Sequence, residues 1–295
     1  MKKREAVYIR DPFIVPVESE KSYYMFGTTD KNCWRDQIAT GFDYFKTTDL
    51  ENFEGPFKAF RPSKDFWANK NFWAPEVHKY QGEFYLFATF IADDYNRGTQ
   101  ILHSKQIEGP YQPHSDKALT PEDWMALDGT LFVDQNQDPW MVFCHEWVQI
   151  YDGTICAVKL TKDLKETASE VKTLFSASEA SWTESIKEMD GKQCYVTDGP
   201  FLYRTENNDL LMIWSSFVEN NIYAIGVSRS ESGTIMGPWI HEEKPLYDQD
   251  AGHGMIFETF EDQLMLTIHT PNETGKERAI FIELTEKNDR LMLKK

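Results

Sequence analysis

Five short sites in this 295-residue chain carry side chains able to move a proton or hold a cation: Asp11, Glu76, Asp128, Asp198 and His253. They read Asp11-Pro12-Phe13, Pro75-Glu76-Val77, Asp128-Gly129-Thr130, Asp198-Gly199-Pro200 and Gly252-His253-Gly254, and each opens an apolar run. One Asp-Gly or Asp-Pro is ordinarily a turn. Three acids at one repeated position are harder to dismiss. Brought together, they cannot all ionise cheaply: repulsion and partial burial raise the pKa of at least one, while the others stay anionic. A neutral carboxyl beside an ionised one is what glycosidic-bond hydrolysis requires, one group protonating the leaving oxygen and one activating water. Other chemistries lack their signatures. The chain has no H-E-x-x-H, no G-x-S-x-G, no Walker loop and no dinucleotide fingerprint. Cys33, Cys144, Cys156 and Cys194 are scattered without a C-x-x-C and read as buried free thiols.

These acids are far apart in sequence, so a repeat must bring them together. The five openings fall about 50 to 70 residues apart, a spacing that suits propeller blades with unequal loops. Each opening strand precedes a turn and a second apolar or aromatic strand, at 22–27, 83–88, 139–143, 210–214 and 263–267. Third strands are expected at 37–40, 98–103, 154–160, 224–228 and 279–284. A Gly-Pro-aromatic closure recurs at Pro56, Pro110 and Pro238, and proline belongs at an outer edge strand or turn because it cannot donate to a ladder. Residues 161–188 read as mixed, helical or loop. The pattern predicts an all-β chain, a five-bladed β-propeller forming a single catalytic domain over 1–295. In that architecture the first strand of each blade lines the central channel, so the openings converge at one mouth.

Composition narrows the partners. Asp+Glu outnumber Lys+Arg by 48 to 31, a net charge of −17, which repels phosphate backbones and anionic lipid. Nucleic acid is not expected as a partner; an oligo- or polysaccharide would not feel the field. No stretch approaches the ~18 apolar residues of a membrane span. No apolar leader follows Met1–Glu5, so the protein is expected in the cytoplasm, or outside it if a signal peptide has been removed. Aromatics make up 14% of residues, serving strands and offering sugar platforms such as Trp34, Trp73 and Trp147.

The carriers Arg10-Asp11-Pro12-Phe13, Phe72-Trp73-Ala74-Pro75-Glu76, Asp128-Gly129-Thr130-Leu131-Phe132, Asp198-Gly199-Pro200-Phe201 and Gly252-His253-Gly254 resemble glycoside hydrolase family 43, whose members are five-bladed propellers. The resemblance spans nearly the whole chain. It implies inverting hydrolysis of α-L-arabinofuranosides or β-D-xylosides in plant polysaccharides, with no cofactor needed for the chemistry. It makes Asp11 the general base, Asp198 the general acid and Asp128 the aspartate that orients the acid and tunes its pKa. Trp73 and Glu76 fall at the sugar site, and Arg278 matches a substrate-binding arginine. His253 matches a histidine near the axis that helps hold Ca2+ or another cation through water. One departure stands out: the family acid is normally Glu, and Asp198 withdraws the donor by ~1.5 Å, while ~1 Å of misplacement can cost ~10²-fold. Compensation by the pocket, another acid (Glu184 or Glu146), or a weak or inactive member would each answer this.

Three other readings compete. Sucrose- and fructan-cleaving propellers also carry Arg-Asp-Pro, though in mid-chain. A non-catalytic carbohydrate-binding propeller would explain the missing Glu. A protein-interaction propeller would need an exposed apolar patch and no acidic ring. Exo action is expected, with 64–71, 91–97 and 176–193 walling one end of the site.

Overall fold

The computed structural model describes residues 1–30, 33, 34, 38–287 and 289–294. Five antiparallel four-stranded sheets follow one another along the chain as the blades of a propeller. The first has inner to outer strands Arg10–Val17, Ser22–Thr28, Phe42–Thr47 and Asn52–Phe60, with Lys2–Lys3 pairing outside the last. The second runs Lys70–Tyr80, Glu83–Ala92, Tyr95–Ser104 and Gln112–Pro113, and the third Ala126–Val133, Pro139–His145, Thr154–Lys159 and Lys172–Ser176. The fourth is Asp198–Arg204, Leu210–Val218, Ile222–Ser230 and Trp239–His241; the fifth is Gly252–Glu258, Leu264–Thr270, Arg278–Lys287 and Arg290–Leu293. No helix among the described residues is long and apolar enough to cross a membrane.

Most expected strands are present, with three differences. The third strand of blade one is Phe42–Thr47; residues 38–40 are irregular, and Gln37 lies outside the described residues. Residues 161–188 contain a true outer strand, Lys172–Ser176, and the last blade ends in a fourth strand, Arg290–Leu293. Both missed strands are short outer strands with few buried residues, so they carry little apolar pattern to read. The Gly-Pro closures do lie at the periphery: Pro56 is within the outer strand of its blade, Pro238 immediately precedes its own, and Pro110 stands two residues before its own.

Every inner strand contains one extra residue in the same place. The pairing with the second strand slips between Arg10 and Phe13, Trp73 and Glu76, Leu127 and Thr130, Asp198 and Phe201, and Gly252 and Met255. The second residue of each bulge has left-handed backbone: Asp11 (φ 52°), Ala74 (45°), Asp128 (56°), Gly199 (46°) and His253 (44°). Bulges re-aim side chains, commonly beside active sites. They also expose a ladder N–H that needs a partner. The second strand of the preceding blade supplies it: Thr28 Oγ1 accepts from Ala74 N at 2.8 Å, Thr89 Oγ1 from Asp128 N at 2.9 Å, and Ser215 Oγ from His253 N at 2.8 Å. His269 Nδ1 of the last blade accepts from Asp11 N at 3.2 Å, which carries the pattern across the chain ends. The equivalent residue of the third blade is Cys144, a poor acceptor, and there Asp128 Oδ2 takes the Gly199 N–H at 3.1 Å.

Blade interfaces are packed with large apolar side chains. Phe26, Phe42, Phe72 and Phe90 fill the first and second blades, and Trp182, Trp214 and Trp239 the third and fourth. Each such ring contributes roughly 1.5–3 kcal/mol by burial. Among the described residues no strand is exchanged between first and last blades. Their seam is closed by Phe53 against Phe281, by Ile9 N donating to Glu277 O at 3.3 Å, and by the buried Arg10–Glu277 pair at 2.7 Å. Removing one partner of a buried pair strands the other charge. Glu277→Ala is therefore expected to lower stability by roughly 3–5 kcal/mol in urea unfolding; a loss under about 1 kcal/mol would show that the pair does not hold the seam.

Candidate active site

A cavity of about 250 Å3 opens at the channel mouth, lined by Asp11, Asp128, Asp198 and His253 together with Trp34, Trp73 and Trp147. The bulges determine how the acids arrive. Asp11, Asp128 and His253 occupy the left-handed position. Asp198 does not: it stands one residue earlier, equivalent to Arg10, Trp73, Leu127 and Gly252. The expectation that all three aspartates share one repeat position is thus corrected. The left-handed place in blade four belongs to Gly199, where a Cβ would come within 2.7 Å of His253 Cγ. Asp198 therefore approaches the centre from a different direction than Asp11 and Asp128.

The three carboxylates converge on one imidazole. His253 Nδ1 lies 3.4 Å from Asp11 Oδ1, 3.6 Å from Asp128 Oδ2 and 3.4 Å from Asp198 Oδ1. These Asp11 and Asp198 oxygens are accordingly no farther apart than twice 3.4 Å, at or inside the lower edge of the ~6.5–9.5 Å expected between inverting carboxyls. Burial disfavours a charged His253, but the three acids outweigh it and raise its pKa well above the ordinary value, so it is an imidazolium.

Each carboxyl has a distinct state. Burial pushes Asp11 up; His253 and Arg10 outweigh it, helped by the Thr28 hydroxyl donating to Oδ2 at 2.7 Å, and Asp11 is held below the usual range. His269 itself is driven down to about 3, chiefly by burial and by Arg10, so its Nδ1 is free to accept the Asp11 N–H. Burial raises Asp128 well above its ordinary value; His253 opposes this, and the charges of Asp198 and Asp11 add to it. Burial also acts on Asp198, but Asp128, His253 and the Tyr223 hydroxyl, which donates to Asp198 Oδ2, hold it low. Asp128 and Asp198 are thus a coupled pair, with burial favouring the protonated form of Asp128 and its hydrogen-bonding neighbours the ionised form of Asp198. Tyr223, which no sequence motif marks, favours the ionised form of Asp198, against the expected resting proton there.

Other expected residues divide. Trp73 lines the cavity, its ring beside Trp34 at 4.5 Å and under the Arg97 guanidinium at 4.2 Å. Glu76 lies two residues past the bulge, in the ring of Phe13, Thr130, Phe201 and Met255, hydrogen-bonded to His78 Nε2 at 3.0 Å and outside the cavity. Phe13 and Phe201, from non-adjacent blades, meet at 6.1 Å across the axis at that level. Arg278 also lies outside: it donates to the carbonyls of Glu5 at 2.8 Å and Glu277 at 2.7 Å, pinning the N-terminal segment. Glu184 is exposed and away from the cavity, whereas Glu146 lines it and is bound by Arg97. Of the three expected wall segments, only Ile186 reaches the lining; residues 93–94 are merely the turn of a hairpin.

For a cation, the described residues offer one cluster, Asp128, Asp198 and His253, with ligand atoms within 4.8 Å of one another. Those atoms are engaged with each other. The fitting feature is His253 Nε2, buried without a partner. A neutral His253 could hold a hydrated cation through that nitrogen, and the ion would supply the same central positive charge as the imidazolium.

A profile of glycosyl hydrolases family 43 matches residues 6–289. The chain belongs to this family. The family 43 fold recurs in an endo-arabinase from Bacteroides thetaiotaomicron VPI-5482, 38% identical over 97% of both chains with a TM-score of 0.89. An endo-1,4-β-xylanase from the same organism is 24% identical over 97% of this chain and 94% of its own, with a TM-score of 0.75. An α-L-arabinofuranosidase from Lactobacillus brevis is 17% identical over 97% and 93%, also at 0.75. These last two share the fold. No curated protein matches the chain. As a family 43 member the protein is a glycoside hydrolase acting on carbohydrate, and its reaction needs water and no cofactor.

Proposed function

We propose that the chain is one catalytic domain that inverts the anomeric centre as it hydrolyses α-L-arabinofuranosides, with β-D-xylosides as the second substrate class. The carrying observation is the convergence of three carboxylates on His253 Nδ1. Asp11, ionised and 7% exposed, is the base that takes a proton from water. Asp198, with 24% of its side chain exposed to the cavity, is the end of the dyad that meets the glycosidic oxygen. Asp128, 4% exposed, is the reservoir from which the donated proton comes. His253 keeps three acids from repelling one another apart. Trp34 and Trp73 give the sugar apolar faces. Glu76 and Arg278 act outside the sugar site.

Arabinan is favoured by the 38% identity to a protein named endo-arabinase. Exo action is favoured by a cavity of about 250 Å3, below the ~300–1,000 Å3 of clefts that take drug-sized ligands. Incubation with linear arabinan and with xylan, followed by product sizing and NMR of the first-formed anomer, tests all three points. Arabinose released from chain ends with inverted configuration is expected. Internal oligosaccharides instead would replace the exo reading by an endo one, and retained configuration would remove Asp11 from the role of base.

A further inference from the structure

We propose that Tyr223 is the positioning residue that fixes the short acid Asp198 in its donor geometry. This rests on the reading of Asp198 as proton donor and deepens it. Tyr223 is buried and its hydroxyl donates to Asp198 Oδ2, while Asp198 Oδ1 faces His253 Nδ1 at 3.4 Å. Both carboxyl oxygens are thus held, from two sides, and an Asp has only two side-chain torsions to fix, one fewer than a Glu. A longer acid would reach the glycosidic oxygen with more freedom; this one gains its precision from its partners.

The site is built to admit the tyrosine. Gly252 occupies the position that holds Arg10, Trp73, Leu127 and Asp198 in the other blades. A Cβ there would stand 2.5 Å from Tyr223 Cε1, so only glycine leaves room for the ring. The ring packs at 5.8 Å and 28° on His269, which accepts the Asp11 N–H, and at 5.1 Å on Phe217. One rigid side chain therefore touches the donor and the residue that anchors the base. Tyr223 exchanges no proton in this scheme: it stays protonated, and the proton passing to the leaving oxygen comes from the aspartate pair.

A donor's placement counts most where the leaving group needs protonation. Tyr223→Phe removes one oxygen and keeps the ring. On arabino-oligosaccharides kcat is expected to fall about 10²-fold, with KM within roughly 2-fold. On p-nitrophenyl arabinofuranoside, whose leaving group departs readily unprotonated, the fall is expected to stay within about 3-fold. Asp198→Ala, measured in parallel, is expected to show the same contrast more strongly. Equal losses on both substrates for Tyr223→Phe, or no loss on either, would overturn the positioning role while Asp198→Ala still discriminates. If Asp198→Ala loses both substrates equally, Asp198 is not the donor and the proposal falls with that reading.

Discussion

Asp11→Asn is expected to leave the propeller folded and to lower kcat by about 10³- to 10⁴-fold, toward the upper end of what general acid–base catalysis contributes. The amide matches the carboxylate in shape, and its oxygen still accepts the Thr28 hydroxyl. It cannot take a proton from water. The expected result is a circular dichroism spectrum like the wild type's with nearly all turnover gone on every substrate, aryl glycosides included, because water must be activated whatever leaves. More than about a tenth of wild-type kcat remaining would show that another group is the base. The wild-type pH profile follows with its sign. Asp11 is held below the ordinary carboxylate range, so activity on the acid side persists to below that range and is lost only as pH falls through the lowered value. The same shift adds stability above the unfolded carboxylate pKa, and that stability disappears as pH falls through the folded one.

Asp128→Asn is expected to cost about 10²- to 10³-fold in kcat and to move the basic limb of the profile to lower pH. The wild-type pair keeps its proton because burial and its neighbours' charges raise Asp128 well above the ordinary value. Without that carboxyl, Asp198 stands alone between Tyr223 and His253, both of which favour its ionised form. The donor proton is then lost at lower pH than before, and the high-pH shoulder retreats. A kcat profile whose basic limb does not move would show that Asp128 does not store the proton. The asparagine oxygen still accepts the Gly199 N–H, so a change in melting temperature is not expected to account for the loss.

Much of this site is written plainly in the chain. Asp11-Pro12, Ala74-Pro75, Asp128-Gly129, Gly199-Pro200 and His253-Gly254 each pair a left-handed residue with Pro or Gly, and that repeat announces both the blades and the bulges. What it hides is a shift of one residue. Asp198-Gly199 looks like Asp128-Gly129, yet the left-handed residue is the glycine in one and the aspartate in the other. Only the register with Ser215 separates them. Tyr223 and His269 are invisible for a related reason: each reaches the cavity or its partners through the pairing of its strand, and neither lies in a motif of its own. Glu76 misled because it sits in the right strand at the wrong depth, below the level where the bulge turns side chains toward the sugar. Arg278 misled because an arginine near the end of such a chain has a second use, tying down residue 5.

The unsewn join between first and last blades makes this molecule a split washer. Four of its five interfaces lie between sheets that follow one another along the chain; the fifth joins its two ends and is held by side-chain and single backbone contacts. Such a ring is expected to open first at the slit, and the slit runs past Asp11, whose amide is clasped from across it by His269. Thermal inactivation is therefore expected to begin at this join, with activity lost before the circular dichroism of the remaining blades.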